Sequence, residues 1–207
     1  MNVPNRLSHE YRLFFRHAYE AVADYVQSSL RICGDWGYPR GGTPDVPLRT
    51  VHEAELAGAI WRRLHLHMFA SRITREEPYP GEARRWADFA IYDDGKCSAL
   101  VELKVWREGT DSKLVDDASK LATVREVDRL VLIFSQGGDW KQNLIYLDRL
   151  VPGWEMLEER SSDVLSGPID PVSTRLDGAL YQVVSEVTQA RETSRQPTRV
   201  PMSQRAR

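Results

Sequence analysis

The chain has 207 residues, 42% of them hydrophobic and 28% charged, with a formal net charge of −2, the profile of a globular domain with room for a substantial core. So balanced a charge argues against a protein that coats nucleic acid nonspecifically, though not against a nuclease, and the longest apolar runs fall far short of the roughly 18 residues that span a bilayer. Met1 to Arg6 lead into polar residues rather than a secretory core, and Cys33 and Cys97 have no paired metal spacing, so a reduced cytoplasmic setting is expected.

Apolar side chains recur at helical spacing from Ser8 to Ile32, which predicts a long amphipathic helix with Ser8 as its N-cap. Residues 33–47 are dense in Gly and Pro and read as a loop carrying Trp36. A second helix is expected from Thr50 to Phe69, then a strand from Ile73 to Glu77 ended by Pro78 and Pro80. Arg85 to Tyr92 reads as the next strand, Asp93-Asp94-Gly95-Lys96 as a turn, and Ser98 to Trp106 as the return strand. Asp111 to Val124 reads as a helix and Arg129 to Ser135 as a buried strand. Asn143 to Leu150 fits a helix or a strand, Gly153 to Glu158 a short strand, and Gly178 to Ala190 a last helix. Residues 191–207 carry five arginines against one glutamate; they read as a disordered basic tail behind a single domain of residues 1–190.

In the central hairpin, Glu102 and Lys104 share one face of their strand, with Leu103 opposite, and the fold-back brings Asp88 within reach of Glu102. Apolar residues stand at both parities of the Glu102 strand, so both of its faces read as buried. Charges set there are costly unless they pair or bind a ligand.

Asp88 followed by Glu102-Leu103-Lys104 resembles the PD-(D/E)xK nuclease superfamily, the restriction-endonuclease-like fold, whose pattern is an acidic residue, a gap and Glu-x-Lys. Ala87 stands where the family name has proline, and the likeness covers about residues 50–135. It implies an α/β fold with a central mixed β-sheet flanked by helices on both faces. It further implies metal-dependent phosphodiester hydrolysis, in DNA rather than RNA, in a setting of defence or repair. Asp88, Glu102 and the backbone carbonyl of Leu103 would hold Mg²⁺, with Mn²⁺ as a substitute, and Lys104 would orient the attacking water or neutralise charge on the phosphate. Many members carry another glutamate on the preceding helix. Glu53 falls on the apolar stripe with Leu56, Ala57, Ile60 and Leu64, whereas Glu55 lies roughly 200° away. Glu53 is therefore expected at the site, holding a second ion or an ordered water, and Glu55 at the surface. A homodimer, or a partner subunit that supplies specificity, is implied as well.

Lys113, Asp117 and Lys120 recur at i, i+4 and i+7 on the helix after the hairpin. They read as a solvated face laced with ion pairs or as accessory groups, and Lys120, next to Leu121-Ala122, is the better functional candidate. Arg84 and Arg85 are candidates for phosphate contacts, and Trp36 and Trp106 for stacking on bases. His65 and His67, two apart on a helix, cannot hold one ion, and His52 points away from its neighbour Glu53. The sequence contains no nucleotide-binding glycine loop and no serine-hydrolase elbow. The alternative reading is a non-catalytic nucleic-acid-binding or assembly module on the same fold.

Overall fold

The computed structural model describes residues 4–35, 48, 51–67, 72–80, 82–107, 111–137, 145–146, 149, 153–165 and 173–184, with backbone alone for 4–8, 32–35, 82–84, 111 and 173. Among them are the helices α1 (Pro4–Asp35), α2 (Glu53–His67) and α3 (Asp111–Ala122). The strands are β1 (Ile73–Tyr79), β2 (Glu82–Asp93), β3 (Lys96–Val105), β4 (Asp128–Gln136), β5 (Trp154–Leu165) and β6 (Ser173–Val183). The strands form one sheet in the order β1-β2-β3-β4-β6-β5. Only the β3–β4 pair is parallel, and α3 supplies the crossover that a parallel pair needs. The chain is thus an α/β protein with a six-stranded mixed sheet.

Two apolar layers hold helices to opposite faces. Phe14, Val22 and Leu30 of α1 and Leu56, Ile60 and Leu64 of α2 pack with Phe89, Val101, Leu103, Leu132 and Leu180 on one face. Leu114 and Leu121 of α3 pack with Leu100, Val131, Ile133 and Tyr181 on the other. Phe14 meets Phe89 edge-on at 5.9 Å, and the Tyr19 hydroxyl donates to the Leu176 carbonyl at 2.8 Å, so α1 grips the sheet near both ends. No described helix is long and apolar enough to cross a membrane.

The central hairpin turns where Asp-Gly stands. Asp94 (φ 49°) and Gly95 (φ 76°) are both left-handed, and Asp93 pairs with Lys96, the geometry of a two-residue type I′ turn.

Four sequence expectations need correction. Helix α1 already runs from Pro4, so Ser8 lies inside it and is not its cap; proline suits a first turn because it has no N–H to leave unbonded. Strand β1 continues through Pro78 to Tyr79, which an edge strand permits because one side of its backbone has no ladder to feed. The short strand expected near Gly153 to Glu158 extends to Leu165. The helix expected over Gly178 to Ala190 is, as far as Val183, the end of strand β6. Leu176 through Tyr181 are all buried, so β6 is covered on both faces and shows no alternation to separate it from a helix. β5 and β6 complete the same sheet, which therefore reaches beyond residue 135. Trp36 and the rest of the expected loop to residue 47, the tail 191–207, and all of Asn143 to Leu150 except helical Ile145, Tyr146 and Arg149, lie outside the described residues.

Candidate active site

Backbone pairing between β2 and β3 starts at the turn and stops at Phe89↔Val101. Beyond that pair β2 stays with β1, and β3 stays with β4. The hairpin therefore opens into a fork, and one further step in register sets Asp88 opposite Glu102 at its base. Asp88 takes over the role of the missing strand, accepting the Leu103 N–H on Oδ2 at 2.7 Å. Glu102 is 5% exposed and accepts a short hydrogen bond from the Tyr79 hydroxyl, which reaches it from the end of β1.

Lys104 lies between two carboxylates from different helices. Its Nζ is 3.0 Å from Glu53 Oε2 at the start of α2 and 2.8 Å from Asp117 Oδ2 on α3. Glu53 Oε1 also accepts the Val105 N–H at 3.1 Å, and Asp117 Oδ1 pairs with Lys120. Arg107 donates to the Val51 carbonyl and so ties the end of β3 to the start of α2. The network crosses one end of the sheet, from α2 on one face to α3 on the other.

Burial pushes the Glu102 carboxyl up to about 8, and the charge of Asp88 adds to the shift. Burial also raises Asp88, against the stabilising N–H of Leu103. It raises the Tyr79 hydroxyl too, and the Glu102 carboxylate adds to that shift. For Lys104, burial pulls downward, but Asp117 and then Glu53 outweigh it and hold the ammonium above the ordinary lysine value. Lys104 is therefore a fixed cation, whereas Asp88 and Glu102 are acids short of positive charge. Four carboxyl groups (Glu53, Asp88, Glu102, Asp117) stand against two ammonium groups (Lys104, Lys120), an excess of two acids.

The structure thus brings Asp88, Glu102, Lys104, Glu53 and Lys120 into one neighbourhood, with Leu103 buried in β3 between Glu102 and Lys104. Glu53 faces Lys104 and the Val105 N–H, and Glu55 lies at the surface, accepting from Tyr25 at 2.8 Å. Arg85 is exposed on β2, three residues from Asp88, a spacing that strand alternation sets on the other face. Arg84's side chain lies outside the described set. His67 stacks on His17 at 5.0 Å and His65 packs on Trp61, both remote from Lys104 in the fold. Lys113 and Asp116 are exposed.

The sequence left Asp117 open between a solvated face and an accessory group, and it missed Tyr79. Asp117 is 6% exposed, not part of a solvated face. Its signal was the row Leu114, Asp117, Ala118, Leu121, the same core-facing spacing that singled out Glu53. Tyr79 stands between Pro78 and Pro80, which concealed it behind an apparent strand end.

Among the described residues no three His, Cys, Asp or Glu side chains form a metal cage. Mg²⁺ needs no such cage, since one or two carboxylates with water and substrate phosphate suffice. Asp88 and Glu102 are hard oxygen donors, placed together at the cost of raised proton affinity, and that donor set fits a hard divalent cation. No protein-family model, curated protein or solved structure matches the chain.

Proposed function

We propose that the chain is a Mg²⁺-dependent nuclease of the restriction-endonuclease-like class, hydrolysing phosphodiester bonds in DNA in preference to RNA. The observation that carries this reading is the fork: Asp88 and Glu102 meet at its base, buried and short of positive charge, with Lys104 two residues from Glu102 on the same strand face. The order of hairpin, crossover helix and parallel strand supports it as the frame expected of that class. Asp88 and Glu102, with the Leu103 carbonyl, would hold the cation, which supplies Lewis acidity at the scissile phosphate and an acidified water. Lys104, kept charged by Asp117 and Glu53, would stabilise negative charge on the phosphate and is the wrong protonation state for a general base. Glu53, hydrogen-bonded to Lys104 and the β3 backbone, would position that lysine more than it would ligate a metal.

A non-catalytic module on the same fold draws support from the ion pairs around Lys104, which occupy two of its three N–H donors. Cleavage of supercoiled plasmid, linear duplex, single-stranded DNA and RNA separates the two readings, run with Mg²⁺, Mn²⁺ or EDTA. Metal-dependent cutting lost in Lys104→Ala is the expected result. Folded protein that cuts none of these and takes up no metal would establish the module instead.

A further inference from the structure

The two arms of the fork each carry a tryptophan. Continuing the Phe89↔Val101 register by three steps sets Trp86 level with Lys104. Trp86 is two residues from Asp88, so strand alternation places the two side chains on one face, about 7 Å apart along β2. Its indole is 55% exposed, although a large aromatic on a sheet face ordinarily finds cover. On the other arm, Trp106 is two residues beyond Lys104. It packs at the margin of the α3-side core and tilts against Tyr146 at 6.0 Å, and its backbone N–H donates to the Phe134 carbonyl at 2.7 Å, prolonging β3 in register. The carboxylates thus lie at the base of the fork, with Trp86 on one arm, four residues inside the start of β2, and Trp106 just past the end of β3 on the other. Beside them Glu53 and Lys120, whose side chains are 35% and 37% exposed, bring the network to solvent.

From this geometry we infer that the site takes nucleic acid with unstacked bases, a single strand, flap or frayed end, and that Trp86 and Trp106 hold those bases by stacking. This deepens, and rests on, the nuclease reading. Inside a duplex both faces of a base are already occupied by its neighbours, so an indole has nothing to stack on; an unpaired base offers a free face. The charge balance points the same way. A chain of net charge −2 whose site holds an excess of acids gains little from long-range attraction to phosphate. Stacking supplies affinity that does not depend on net charge, and it tolerates any base.

The test uses the full chain and two probes, an oligothymidylate of about twelve nucleotides, within the range one such surface covers, and a blunt duplex of the same length. Binding is followed by tryptophan fluorescence and by anisotropy of labelled DNA, in EDTA so that nothing is cut. The expected result is preference for the single strand, with shallow salt dependence. Trp86→Ala should weaken it roughly fivefold to a hundredfold, Trp86→Phe should restore most of it, and the melting temperature should stay put because the ring is exposed. Trp106→Ala, read with Trp106→Phe as a folding control, should weaken it too. Equal or tighter duplex binding, or single-strand binding indifferent to Trp86→Ala, would overturn the inference. The plasmid assay keeps the two proposals apart. Duplex cutting unaffected by Trp86→Ala leaves the nuclease standing and removes the stacking role. Stacking on a chain that cuts nothing leaves the stacking role and removes the nuclease.

Discussion

Lys104 Nζ stands 2.8 Å from Asp117 Oδ2, joining the strand that carries Glu102 to the helix that carries it into the parallel crossover. Both side chains are nearly buried, at 12% and 8% exposure, so this pair is screened far less than a surface bridge. It makes Lys104 a cation fixed in place.

Replacing Asp117 with asparagine keeps the shape and removes the charge. Lys104 retains Glu53, so the expected loss of stability is about 1–3 kcal/mol, well short of unfolding. Metal-dependent cleavage should fall more than tenfold, chiefly in kcat, because the displaced ammonium meets charge that develops at the phosphate. Steady-state kinetics beside a urea melt checks both parts; full activity in Asp117→Asn would remove Asp117 from the positioning of Lys104.

Asp88 and Glu102 repel each other when no cation lies between them. Asp88→Asn keeps an oxygen acceptor for the Leu103 N–H and removes that repulsion. The variant should therefore melt higher than the parent in EDTA and should gain nothing from Mg²⁺, whereas the parent gains about 2.7 kcal/mol at a hundredfold excess over Kd. Differential scanning fluorimetry with and without Mg²⁺ reads both effects. A metal-dependent rise that survives Asp88→Asn would place the cation elsewhere.

The raised Glu102 carboxyl sets a pH dependence of definite sign. Its folded value of about 8 exceeds the ordinary 4.5, so the fold favours the protonated form. That stability is fully present below about pH 4.5 and is lost as pH rises through about 8. In EDTA the melting temperature should thus decline from about pH 4.5 and level off above about 8, and Glu102→Gln should flatten the decline. A flat profile in the parent chain would show that Glu102 ionises normally.

Gly178 tests the fold independently of the site. A Cβ there would lie 2.9 Å from the Phe134 ring and 3.0 Å from that of Tyr19, both fully packed. Gly178→Ala should cost about 1–3 kcal/mol by overpacking, measured as a shift in the urea midpoint without a change in slope.

The hairpin was legible because its signals are local: Asp-Gly for the turn and alternation for the strands; the one-residue register shift between Ile91 and Tyr92 that sets Asp88 level with Glu102 has no such signal. Glu53 was legible for another reason, a carboxylate at a core-facing helical position. The same reasoning would have settled Asp117 at the site, but its neighbours Lys113, Asp116 and Lys120 gave the helix the look of a solvated face. Tyr79 was concealed by the flanking prolines, whose effect on a strand depends on whether it lies at the edge, a property of the sheet and not of the segment. β6 was misread because a strand buried on both faces loses its period of two. The fork that separates Trp86 from Trp106 depends on where the β2–β3 ladder stops, which no local pattern records.

The sheet ends in two dissimilar margins, and each resists growth by addition of another strand. At β1, Pro78 lacks a donor, and left-handed Glu76 (φ 57°) breaks the run of pairs opposite Asp88. At β5, exposed Glu155, Glu159, Arg160 and Asp163 line twelve residues that would otherwise offer an inviting template. Association of two such molecules into a continuous super-sheet is thereby disfavoured from both directions. A second copy of the chain would have to meet the first through its helices, leaving the forked end of each sheet open.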